Sequence, residues 1–293
     1  MCRNLLFAAT ALAAALSLGS AAQAAVQSMT PAAASPQATA QAVAPPQKQK
    51  KASAQERIDA ERLPPMARAA FWAREVNLDP IDVDANVRLA SALRSLGQYS
   101  EAADSAQKAL VIDPKNFDAL METARAYVGQ GQGFYAIDPV KRAAVLAPKD
   151  WRPLSLLGVA YTQVKRDEDA QAVWRQALGL SHDNPAVLSN MAMALAAKGD
   201  ATGAEALLRR ATAQPSATLQ ERQNLTLVLG IEGKLAEAEK LLREDLPPDQ
   251  AEANLAYLRT LSASQTAPSP VPTPAPTTTS DARTWASVKG AGG

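Results

Sequence analysis

Reactive side chains are scarce in this chain of 293 residues, which has one histidine, His182, and one cysteine, Cys2. A nucleophile with its base, or a thiolate-ligated metal, needs more than that supplies. Asp167, Glu168 and Asp169 form an acidic run, and at the start of a helix such a run is explained by the positive helix end. The glycines of Gly129-Gln130-Gly131-Gln132-Gly133-Phe134-Tyr135 have no Lys-Ser/Thr after them and no strand before them, so they do not make a phosphate cradle. They read as a turn between two helices, and Pro139 predicts that the second helix starts late or kinks. We therefore expect no enzyme activity, no metal and no cofactor. His182 is expected in a loop.

The remaining candidate chemistry is recognition. Asn190 and Asn224 lie 34 residues apart, and an amide both donates and accepts, as the backbone of an extended peptide requires. The same interval separates Ala102, Ala136, Ala170, Ala204 and Ala238, and again Pro80, Pro114 and Pro148. A period of this length marks stacked helical hairpins. With repeats starting at Val83, Phe117, Trp151, Pro185 and Leu219, the eighth position holds Ala90, Ala124, Gly158, Ala192 and Thr226. Small residues there and at the twentieth position let the two helices of a repeat cross closely. Proline at the repeat's end separates one hairpin from the next.

The third repeat shows the pattern most fully, with Leu154, Leu157-Gly158, Tyr161, Ala170, Trp174 and Ala177. This resembles the tetratricopeptide repeat, and the expected fold is an all-α solenoid of five full hairpins. A half-repeat helix precedes them, from about Pro65 to Asn77. A helix from Asp249 to Leu261, with Leu255, Leu258 and Leu261 on one face, should cap the fifth. Positions 2, 5, 6, 9 and 12 should face the concave side. There they give Arg88, Met121, Arg125, Ser155, Thr162, Ser189, Asn190, Met193, Gln223, Asn224 and Leu227. The peptide-binding set expected from this wall is Arg88, Arg125, Ser155, Thr162, Ser189, Asn190, Gln223 and Asn224, with the arginines available to a carboxylate.

Residues 1–24 read as a secretory signal: Arg3, an apolar run from Leu5 to Leu18, and Ala22-Gln23-Ala24 as the cleavage site. Its removal takes away Cys2 and leaves 29 basic and 29 acidic residues, a balance that gives no field to attract nucleic acid. The apolar run is shorter than a membrane span, and Ala25, not cysteine, follows the cleavage site, so neither a span nor a lipid anchor is expected. Residues 25–53, rich in Ala, Pro and Gln and carrying the basic Lys48-Gln49-Lys50-Lys51, read as a linker. Residues 264–293, with five prolines from Pro268 to Pro276, read as an extended polyproline-like tail. The repeat domain is expected at 54–263.

Several segments resemble one family more closely, the TadD-like tetratricopeptide proteins of the tight-adherence (Flp pilus) secretion system. They are Gly131–Ile137, Asp150–Tyr161, Arg222–Gly230, Asp245-Leu246-Pro247-Pro248 and Asn254–Arg259. The resemblance covers about 65–260. It implies a periplasmic, non-enzymatic scaffold or chaperone that binds envelope proteins of the pilus assembly machine, the outer-membrane secretin among them. Family members are commonly lipoproteins, and this sequence departs there. A periplasmic interaction module of another secretion or cell-wall system is the alternative that the repeats allow.

Overall fold

The structure, a computed structural model, describes residues 50–266. The expected signal at 1–24, most of the 25–53 linker and the tail beyond 266 lie outside the described residues. Thirteen helices follow in order among the described residues. Helices α1 (Ala54–Ala60) and α2 (Pro65–Leu78) come first. Five hairpins follow: α3/α4 (Val83–Ser95, Tyr99–Ile112), α5/α6 (Phe117–Gly129, Gly133–Leu146), α7/α8 (Trp151–Gln163, Asp167–Leu180), α9/α10 (Pro185–Ala197, Ala201–Thr212) and α11/α12 (Leu219–Ile231, Leu235–Asp245). Helix α13 (Pro248–Thr266) closes the array.

Two local devices recur in every hairpin. The residue before each first helix caps it: side chains of Asp82, Asn116, Asp150, Asn184 and Thr218 accept N–H bonds from the first turn, satisfying donors the helix leaves open. Between the two helices the chain passes through one left-handed residue, Gly97, Gly131, Lys165, Gly199 or Gly233, with φ of 75, 73, 63, 89 and 76°. The following N–H then bonds back across the turn, from Gln98 to Leu93, Gln132 to Tyr127, Arg166 to Tyr161, Asp200 to Leu195 and Lys234 to Leu229, at 2.9–3.0 Å. This is the six-to-one bond of a Schellman turn.

The glycine-rich segment at 129–133 is therefore the same turn as in the other repeats. Helix α6 starts at Gly133, in register with Tyr99 and Asp167, and Pro139 sits inside it without breaking it. The expected late start does not occur, because a proline at the seventh helical residue forgoes one bond, to the Tyr135 carbonyl, while packing holds the rest. Pro139 is itself buried.

Packing follows the small residues. Ala90, Ala124 and Ala192 at the eighth position are fully buried, as are Ala136, Ala204 and Ala238 at the twentieth. At Gly158 the absent side chain is filled by the Trp174 indole, which a Cβ would strike, and the Trp174 Nε1–H donates to the Ser155 carbonyl at 3.0 Å. Successive first helices (α3, α5, α7, α9, α11) touch one another, whereas successive second helices are splayed apart. The stack therefore curves with first helices inside and second helices outside.

The ends differ from the middle. The expected half-repeat has a partner helix, α1, opened by a capping box between Ser53 and Glu56. Buried Glu75 of α2 holds it, accepting from the Ala52 N–H at 3.0 Å and from Arg57 at 3.1 Å. A polar helix of seven residues carries almost no apolar period, and its sequence signal is the Ser53-x-x-Glu56 box. At the other end Leu255 and Leu258 of α13 are buried, and Leu261 packs beside them on the last hairpins, as expected of a cap.

Repeats four and five are joined by charge. Glu205 lies 2.5 Å from Lys234 and 2.6 Å from Arg209, which also reaches Glu237 at 2.8 Å. The Lys234 hydrogen bond, with Arg209 beside it, lowers the Glu205 carboxyl from 4.5 to about 2.

Two outcomes are expected. Gly158→Ala should destabilise the protein by about 1–3 kcal/mol, because displacing Trp174 outweighs the roughly 1 kcal/mol that alanine adds to helix propensity; a rise in the urea midpoint would contradict this packing. The stability that Glu205 contributes should be complete above pH 4.5 and disappear as pH falls towards 2, since its folded carboxyl is the more acidic one. Glu205→Gln should therefore cost about 1–2 kcal/mol at pH 7 and much less at pH 3, where the wild type has itself lost much of that contribution. An equal difference at both pH values, read by thermal unfolding, would remove the ion cluster from the account.

Candidate protein-binding groove

The concave wall is formed by the first helices, and the residues expected on it divide into two groups. Met121, Ser155, Thr162, Ser189, Asn224 and Leu227 are buried, whereas Arg88, Arg125, Asn190, Met193 and Gln223 are partly exposed. Asn224, expected on the concave side, is buried, and Asn190 is partly exposed. The Asn190 Nδ2 donates to Ser155 Oγ at 3.0 Å, and the Asn224 Nδ2 donates to Ser189 Oγ at 2.7 Å. Asn224 Oδ1 also accepts from Gln220 at 3.1 Å. These amides bridge neighbouring repeats, because contact between first helices brings the sixth position of one against the fifth of the previous one.

Three of the other polar members are engaged as well, whereas Gln223 is partly exposed. Thr162 donates to the Gly158 carbonyl at 3.0 Å within its own helix. Arg125 pairs with Glu122 at 2.6 Å, and Glu122 is held from the previous repeat by Arg94 at 2.8 Å. Arg88 pairs with Asp84 at 2.7 Å and Glu61 at 3.1 Å, and its guanidinium lies 5.4 Å from the Trp72 ring centre. It belongs to the clamp on α1, and neither arginine is an unpaired cation awaiting a carboxylate.

What the wall presents is the ninth position of each repeat. That column runs Ser91, Arg125, Val159, Met193 and Leu227, polar at one end and apolar at the other, with all but Leu227 partly exposed. Val159 was missed by the sequence reading, although the period that placed Arg125 and Met193 also places it. Leu156 and Gln223 flank the column and are partly exposed. Such a strip can hold an extended segment with apolar side chains over the third and fourth repeats and a polar group near Arg125.

The residues first considered for catalysis are dispersed. His182 is exposed in the turn between α8 and α9. Asp167 and Asp169, in the first turn of α8, pair with Lys198 at 3.0 Å and Arg166 at 2.7 Å. Among the described residues no group of three or more His, Cys, Asp or Glu is placed to hold a metal ion, and no helix is long and apolar enough to cross a membrane.

Comparison with known proteins supports the repeat architecture. The tetratricopeptide repeat model matches residues 83–116, the first full hairpin. A thermophilic TPR protein of Thermus thermophilus superposes with TM-score 0.52 at 22% identity, over 60% of this chain and 96% of its own. A tetratricopeptide repeat protein of Parabacteroides merdae does so with TM-score 0.53 at 17% identity, over 72% of this chain and 84% of its own. No curated protein matches the sequence. The fold is an all-α tetratricopeptide solenoid.

The amide bridges should be visible in stability. Asn224→Ala should cost about 1–3 kcal/mol, because it strands the buried Ser189 hydroxyl, whereas removing both Ser189 and Asn224 side chains should cost less than the two single changes added together. Urea unfolding of the four proteins measures the coupling; strictly additive losses would deny the bridge any energetic role.

Proposed function

We propose that the array is a periplasmic, non-enzymatic scaffold or chaperone that holds envelope proteins in its concave groove during Flp pilus assembly, the outer-membrane secretin being one candidate. A tetratricopeptide solenoid is a scaffold suited to protein–protein interaction. The observation that carries the reading is the ninth-position strip Arg125, Val159, Met193, partly exposed on a wall whose polar neighbours are mostly bonded already. Because those neighbours are fixed before a partner arrives, little side-chain ordering opposes binding. The export signal read at 1–24 and the segments resembling TadD-like proteins support the location and the system.

The test is capture from envelope extract by the tagged full chain, with the bound proteins identified by mass spectrometry. Secretin or other pilus-assembly proteins should be retained by the wild type and reduced at least about tenfold by the pair Val159→Glu and Met193→Glu, which places charge on the apolar part of the strip. Both side chains are partly exposed yet also pack against the core, so circular dichroism melting of the variant is read beside the wild type and the loss of capture is judged on folded protein. Retention of the same partners by this variant would move the site off the concave wall. Retention of cell-wall enzymes without any pilus component would support the broader envelope module instead.

A further inference from the structure

The outer face carries a second surface that the groove reading does not use. Where second helices α4 and α6 splay apart they leave a cleft of about 650 Å³, with Tyr127 of α5 and Leu110 of α4 among its lining residues. Phe134 and Tyr135, at the start of α6, stand on its rim 73% and 59% exposed. Tyr135 lies 5.5 Å from Tyr127 between ring centres, and Phe134 meets Tyr135 edge-on at 5.6 Å. The Tyr127 hydroxyl accepts from Gln107 of α4, which fixes that ring. The lining mixes these rings with charged groups, among them Asp138, Lys141 and Arg166, and exposed aromatics grouped over such a cleft mark contact sites.

A cleft of this chemistry suits a polyproline helix, whose preformed backbone lays proline rings against aromatic faces with little ordering cost. The chain contains a segment of matching composition. Residues 267–276 read Ala-Pro-Ser-Pro-Val-Pro-Thr-Pro-Ala-Pro, and ten residues at about 3.1 Å each reach about 30 Å. The cleft follows α6, whose 14 residues span about 21 Å at 1.5 Å each, so the segment is long enough to fill it.

Reach decides whose cleft it fills. The proline run begins two residues after Thr266, the end of α13, which leaves a tether of only about 7 Å. Helix α13 packs on the fifth hairpin, three repeats from α6, and at 8–10 Å between packed helices the separation is roughly 25–30 Å. At most the last few residues of the run, Pro274 to Pro276, reach its own cleft, too few to fill it. The tail residues beyond them, 277–293, contain no proline. We infer that the Pro268–Pro276 segment of one chain docks into the Tyr127–Phe134–Tyr135 cleft of a second copy, head to tail. Such a contact uses two different surfaces, so it joins copies into open chains or closes them into rings, the smallest being a pair that exchanges tails.

Sedimentation velocity of the full chain between about 10 μM and 1 mM, the range of weak single-segment contacts, tests this. The wild type should associate to dimer or beyond as concentration rises. Two variants should each remain monomeric: Phe134→Ser with Tyr135→Ser, and Pro270→Ala with Pro272→Ala and Pro274→Ala. Mixed together, the cleft variant supplies a tail and the tail variant a cleft, so a one-to-one dimer that grows no further should appear. Unchanged melting temperatures keep both variants interpretable, because the altered rings are exposed and the prolines lie beyond the last helix. A wild type monomeric throughout overturns the inference, and so does association that survives either variant or a mixture that fails to pair. Survival in the proline variant alone would assign the cleft to another occupant. Capture of envelope partners by the cleft variant should be unaffected, so this inference and the concave-groove reading fail separately.

Discussion

Every larger feature of the molecule depends on the close crossing of two helices within each repeat, made possible by small residues at the eighth position and alanine at the twentieth. Ala124 and Ala136, or Ala192 and Ala204, are wholly buried with no side chain beyond Cβ, so nothing larger than a methyl separates the two helices there. The third repeat goes further, with Gly158 leaving the room that the Trp174 indole occupies. Once each hairpin has this fixed wedge shape, stacking brings first helices together and spreads second helices, and one constraint thus produces both the concave wall and the clefts of the outer face.

The junctions between repeats share this geometry but use different chemistry. At the N-terminus Arg57, Glu75 and Asp82 clamp α1 with ion pairs at 3.1 and 2.6 Å. Arg94 and Glu122 join the first and second hairpins, serine–asparagine bonds join the third to the fourth and the fourth to the fifth, and the Glu205 cluster adds charge to the last of these. In a solenoid each contribution acts mainly on its own junction, so such variety gives the array regions of different strength without altering its curve. It also consumes most polar groups of the inner wall. What is left for a partner is a narrow strip at the ninth positions, Arg125, Val159 and Met193, already held in place.

The two faces have separate chemistry as a result. The inner strip passes from a paired arginine to apolar side chains and suits an extended segment of mixed character, whereas the outer cleft is aromatic and suits proline. A protein with both can hold a client on one side and copies of itself on the other, which is a physical basis for a scaffold that concentrates its partners.

Sequence alone determined the repeat length, the hairpin boundaries and the buried alanines, because each follows from a period of side-chain size that the chain repeats five times, and the leucines of the closing helix, because they recur at helical spacing. It also placed the capping residues Asp82, Asn116, Asp150, Asn184 and Thr218 at one repeat position. The tertiary structure decided how far each repeat covers the next. Helical periodicity says which face of α9 or α11 carries Asn190 and Asn224, but burial depends on the neighbouring helix reaching Ser155 and Ser189 across the junction. The same holds for Arg88, drawn onto Trp72 and Glu61 by a helix too short and polar to show an apolar period. It holds too for Pro139, whose local preference to break a helix yields to the packing around it. Local periods are encoded residue by residue, whereas the accessibility of a side chain is set by atoms far away in the chain, and so only the folded stack distinguishes a groove residue from a bridge.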